Sequence, residues 1–118
     1  MPDLVYEAIE QLERNEVAAA VKRNNPLELS TVVLSVALYD NDRAFAESFC
    51  KKYARHEDSN VRGNAILGFS HIARIHGKLD EGSIKPVIAA ALLDENNFVR
   101  GQAESAQEDT AWYLSWKY

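Results

Sequence analysis

The tripeptide Val-Arg-Gly occurs twice in this chain, as Val61-Arg62-Gly63 and as Val99-Arg100-Gly101. The two copies lie 38 residues apart, and each follows a cluster of acidic and amide side chains. Each also opens a segment with helical periodicity. A fixed offset of this size, with matching surroundings, is typical of helix pairs that stack into a solenoid. Because solenoids present extended surfaces to other macromolecules, the repeat favours a binding function.

Helical periodicity continues along the rest of the chain, whereas sustained strand alternation and Asn-Gly or Asp-Gly hairpin turns do not occur in the sequence. The pattern predicts one all-α domain over residues 1–118, with six to seven helices arranged as a short right-handed α-solenoid. The alternation of long helix, short turn and long helix predicts three units, near residues 3–40, 42–77 and 80–117.

Short polar side chains mark the predicted helix ends. A first helix is expected to start after Asp3 and to bend or break at Asn15, where the apolar stripe shifts. Gly77 is expected to close a helix, because glycine adopts the left-handed conformation without strain. Side-chain oxygens satisfy the unpaired amides at helix starts. The residues predicted to do so are Asn25, Asp42, Asp58 or Ser59, and Ser83.

Composition narrows the classes of partner. The net charge of −5 disfavours nucleic acid, which needs a basic face. The acidic surface allows two interpretations: it keeps the protein soluble, or it steers a basic protein partner toward the fold. The single Cys50 lies on an apolar helical stripe and is interpreted as a small buried hydrophobe. The chain starts with an acidic amphipathic pattern and contains no apolar run that could span a bilayer, so the sequence predicts a cytoplasmic protein without membrane contact.

The turn and helix around the second Val-Arg-Gly resemble the second half of a HEAT repeat, an armadillo-like α-solenoid family. The matching residues are Asp94, Val99, Arg100, Ala103 and Ala106 in the last unit, and Val61, Arg62, Ala65, Gly68 and Ile72 in the middle one. His56 stands where the last unit has Asp94. The resemblance implies structural roles for three residues: Asp94 caps a helix, and Arg62 and Arg100 bond to the turns of neighbouring units.

The residues that could act in catalysis do not have the spacing that a catalytic or metal site requires. His56, His71 and His76 have no metal-ligand spacing with cysteine or paired carboxylates. The acidic residues of the last helix are interpreted as a solvated face. The sequence therefore predicts a protein that is not an enzyme and has no catalytic residues, metal site or cofactor.

The repeat also predicts a binding surface, because the second helices of successive units line one face in HEAT-like stacks. Side chains that point away from the apolar stripe of one helix should lie beside those 38 residues later. The predicted partner-binding residues are Asn64, His71, Arg74, Gln102, Asp109, Trp112 and Trp116. The C-terminal aromatic residues allow two interpretations: a cap over the end of the stack, or a binding hot spot.

The chain looks like the small acidic helical-repeat immunity proteins of bacteria, including those of the contact-dependent growth inhibition type. That likeness implies a monomer or weak dimer that binds one protein partner, a basic toxin domain, and neutralises it. A generic HEAT-repeat adaptor or assembly factor is the alternative, and a lyase-type helper for a bound chromophore is a third hypothesis.

Overall fold

The structure of the chain is a computed structural model that describes residues 9–118. This part contains six α-helices and no strand, which confirms the all-α prediction. The helices are α1 (Arg14–Arg23), α2 (Pro26–Tyr39), α3 (Arg43–Tyr53), α4 (Ser59–His76), α5 (Glu81–Ala91) and α6 (Asn97–Leu114). The predicted helix start at Asp3 lies outside the described residues. None of these six helices is both long and apolar enough to cross a membrane.

Most of the predicted helix ends are confirmed. The side chain of Asn25 accepts a hydrogen bond from the amide of Glu28 (3.2 Å), and Asp42 accepts one from Phe45 (3.1 Å). These bonds satisfy amides that have no partner within the helix. Gly77 ends α4 with φ of 64°, the left-handed conformation expected of a glycine cap.

Two helix starts differ from the prediction. Helix α1 begins at Arg14 after Glu13, which forms a reciprocal capping box with Glu16, so Asn15 lies inside the helix instead of breaking it. Helix α5 begins at Glu81 after Asp80, three residues earlier than a Ser83 cap would place it. The Ser83 hydroxyl lies in the first turn and donates to Asp80 Oδ2 (2.6 Å).

The helices form two rows. Helices α2, α4 and α6 pack side by side with α4 in the middle, and α3 and α5 pack against one another in the second row. The helices also form three consecutive pairs, and within each pair the first helix packs on the second: α1 on α2, α3 on α4 and α5 on α6. Ile66, Phe69 and Ile72 of α4 are fully buried, because this helix has neighbours on three sides. These helix contacts are the ones that stacked helix pairs would make. The right-handed superhelical twist of the predicted solenoid stays a prediction.

The 38-residue offset relates the caps of α4 and α6. Asp58 Oδ1 accepts hydrogen bonds from the amides two and three residues later, at 2.9 and 3.1 Å. Asn96 Oδ1 does the same at 2.9 and 3.2 Å. Two residues before each cap, His56 Nδ1 accepts from the Asp58 amide (3.0 Å), as Asp94 Oδ1 accepts from the Asn96 amide (2.9 Å). The two turns therefore have the same hydrogen bonds despite their different side chains.

The repeated arginines also act on these turns. Arg62 donates to the carbonyl of His56 (3.0 Å), and Arg100 donates to the carbonyl of Asp94 (2.6 Å), six residues before it in both cases. Arg62 in addition pairs with Asp94 of the next turn. The implied role of Asp94 as a helix cap is wrong, because Asn96 caps α6 and Asp94 lies two residues before it. Arg100 bonds to its own turn and not to a neighbouring unit.

Candidate protein-binding surface

A solvent-open cleft of about 400 Å³ lies between α4 and α6. It brings together three of the predicted partner-binding residues, His71, Arg74 and Asp109. The repeat explains this juxtaposition, because α4 and α6 are equivalent helices packed side by side. The cleft is lined by Leu67, Ser70, His71, Arg74, Asp109 and Tyr113.

His71 forms the buried wall of this cleft, with 6% of its surface exposed. Burial, and after it the nearby positive charge of Arg74, lower the pKa of its imidazole to about 4, although the negative charge of Asp109 acts in the opposite direction. The ring is therefore neutral at pH 7. A guanidinium nitrogen of Arg74 lies 3.3 Å from Nδ1 of the ring. Since arginine can only donate, Nδ1 is the acceptor and the proton of the neutral ring is on Nε2.

Trp112 lies on the solvent side of α6, with 81% of its surface exposed. Glu108 and Glu104 precede it by one and two helical turns, and both are exposed. A large aromatic ring with this exposure lacks the burial that usually stabilises tryptophan, and tryptophan is enriched in binding hot spots. This face of α6 therefore combines an unburied aromatic ring with negative charge.

Two predicted contact residues lie elsewhere. The Asn64 amide donates to the carbonyl of Ser30 in α2 (2.8 Å), so its side chain holds two helices together rather than facing the cleft. Gln102 is half-buried on α6 and is not among the residues that line the cleft. Asn64 and Gln102 are equivalent positions, 38 residues apart. Their contacts differ because α4 has a helix of the same row on both sides, whereas α6 lies at the end of the row.

Trp116 belongs to the core, with 7% of its surface exposed, and so it is not available to a partner. Ser115 ends α6 in the left-handed conformation and turns the chain back, and the Trp116 amide reaches the carbonyl of Thr110 (3.4 Å). Tyr118 Oη lies 2.6 Å from Thr110 Oγ1, and Lys85 of α5 donates to the carbonyl of Lys117. The interpretation as a terminal cap therefore fits Trp116, whereas Trp112 remains exposed.

Sequence reasoning missed Tyr113 and Ser70 as cleft residues. Tyr113 continues the apolar stripe of α6 in the sequence, but 43% of its surface is exposed. Leu114 packs against the core in its place, beside Trp116. The Ser70 hydroxyl is buried and has no hydrogen-bond partner among residues 9–118. No sequence signal distinguishes either residue, because both positions depend on how α4 and α6 pack against each other.

No family model, curated protein or solved structure matches the chain. Within residues 9–118, no group of three or more histidine, cysteine, aspartate or glutamate side chains is arranged to hold a metal ion.

Proposed function

We propose that this chain is a non-catalytic protein-binding module of HEAT-like helix pairs, and that it binds and neutralises a basic toxin domain. The observation that carries the proposal is the exposure of Trp112 on α6, the helix that supplies Asp109 and Tyr113 to the α4/α6 cleft. Burying an indole of this size at an interface stabilises a complex by about 2 kcal/mol or more.

The charges around Trp112 favour a basic partner. Glu108 and Glu104 lie along the same face of α6, and lysine or arginine side chains of a partner would pair with them while contacting the indole ring. The net charge of −5 adds a long-range attraction that accelerates association with a basic domain. Arg74 and Asp109 in the cleft would fix the orientation of the partner by their opposite charges.

The experiment is co-expression with the toxic domain encoded by a neighbouring gene, followed by calorimetric titration of the purified pair. We expect growth rescue and a one-to-one complex. Trp112→Ala should weaken binding by about 30-fold or more, which corresponds to 2 kcal/mol. Leu93→Ala is the matched control, because Leu93 is 87% exposed but lies after α5 in the other row of helices, so binding should not change.

Neutralisation of the toxin and the location of the binding site are tested separately. Tight binding without rescue would contradict neutralisation and favour the adaptor alternative, in which a complex forms but no activity is inhibited. Binding that Trp112→Ala leaves unchanged would reject the α6 surface as the binding site.

A further inference from the structure

A second groove lies on the other row of helices, between α3 and α5. Two adjoining hollows of about 220 and 460 Å³ share Arg55, Ser83 and Val87 as lining residues. Small side chains explain the groove, because Ala54, Ala90 and Ala91 leave space between the two helices. The groove therefore follows from the way successive first helices pack.

One wall of this groove is positively charged. Lys51 and Lys52 lie in the last turn of α3 and Arg55 lies just after it, and none of them forms an ion pair with a carboxylate of residues 9–118. The ammonium nitrogen of Lys52 lies 5.4 Å from the centre of the Tyr53 ring. In a chain of net charge −5, three neighbouring cations without carboxylate partners form an isolated basic patch.

The carboxylate that lines the groove is already neutralised. Among the residues that line the two hollows only Asp94 is acidic, and Arg62 binds it. The three cations are thus the charges that an incoming ligand would meet.

The α5 side of the groove is apolar. Pro86, Val87 and Ala90 line it. A surface with a basic wall and an apolar floor complements a ligand that carries carboxylates on one side and aliphatic groups on the other.

We infer that the α3/α5 groove binds a short acidic segment of a protein partner, with carboxylates on Lys51, Lys52 and Arg55 and an aliphatic side chain over Val87. The wall from Ser48 to Arg55 is about 10 Å long, which accommodates three to four extended residues. This site is separate from the α6 surface, so the chain would hold two partners, or two parts of one partner, by opposite charges.

Fluorescence polarisation with a labelled peptide of repeated Glu-Glu-Leu tests the inference on the full chain. The same peptide with glutamine for glutamate, and a deoxythymidine oligonucleotide, serve as comparison probes. We expect the acidic peptide to bind at least tenfold more tightly than either. Lys51→Glu with Arg55→Glu should weaken binding by at least tenfold, and Trp112→Ala should not change it.

The matched control is Lys22→Glu with Lys78→Glu, which changes the net charge equally at exposed sites outside the groove. Circular dichroism verifies that each variant is folded. Shifts of the Val87 and Ala91 methyl NMR signals on adding the peptide would support the location. The inference is overturned if the control double variant weakens binding as much as the groove variant. It is also overturned if the glutamine peptide or the oligonucleotide binds as well as the acidic peptide, or if no probe binds.

Discussion

Arg62 binds the carboxylate of Asp94 with two hydrogen bonds of 3.0 Å each, across 32 residues of sequence. The two side chains are only 15% and 16% exposed, so water screens the pair less than it screens a surface ion pair. A third guanidinium nitrogen of Arg62 donates to the carbonyls of His56 and Glu57. Arg62 therefore joins the turn before α4 to the turn before α6. This contact lowers the pKa of the Asp94 carboxyl.

This bridge predicts unequal effects for the two repeated arginines. We expect Arg62→Ala to lower the free energy of unfolding by about 2–3 kcal/mol, because it leaves a partly buried carboxylate and two carbonyls without their donor. Arg100→Ala is the matched variant and should cost about 1 kcal/mol, because its bonds stay within its own turn. Urea unfolding measures both. A double-mutant cycle with Asp94→Asn that gives no coupling to Arg62 would contradict the bridge.

The buried histidine predicts a loss of stability in mild acid. Because folding lowers the pKa of His71 from its usual 6.5 to about 4, the unfolded chain binds a proton that the folded chain does not. The stabilisation is present above pH 6.5 and is lost as the pH falls toward 4. Between pH 6.5 and 5 the free energy of unfolding should drop by about 1–2 kcal/mol. His71→Leu removes the titrating group, and an equal drop in this variant would show that another group causes the effect.

Gly68 predicts an overpacking effect at the contact of three helices. A methyl group there would stand 2.6 Å from Sγ of Cys50 and 3.2 Å from Cβ of Ala37. Gly68→Ala should therefore destabilise the fold by about 1–3 kcal/mol. Gly101→Ala is the control, since no atom lies near its added methyl group, and alanine should stabilise that exposed helix position by about 0.5–1 kcal/mol. Thermal unfolding that shifts in the same direction for both variants would contradict this packing.

Cys50 should be unreactive in the native protein. The thiol is fully buried, and burial raises its pKa to about 12, so almost no thiolate forms at pH 8. We expect no reaction with a chromogenic disulfide reagent under native conditions and one reactive thiol per chain in concentrated guanidinium chloride. Rapid labelling of the folded protein would show that α3 and α4 separate readily.

The sequence by itself determined the helices and the repeat. Asn25, Asp42 and Asp58 cap helices as expected, since a cap depends on a side chain and an amide two or three residues away. The offset between the two Val-Arg-Gly segments also identified α4 and α6 as neighbours, because equivalent helices of successive pairs must bury equivalent apolar stripes. His71 and Asp109 were predicted to meet on this basis.

Only the tertiary structure decided which repeated positions remain exposed. Trp112 and Trp116 are four residues apart, yet the turn at Ser115 carries one into the core and leaves the other in water. Gly63 contacts Phe98 of the next unit, whereas Gly101 has open space at the same place. Burial depends on contacts with residues distant in the chain, and identical local sequences acquire different neighbours in the middle and at the end of a stack.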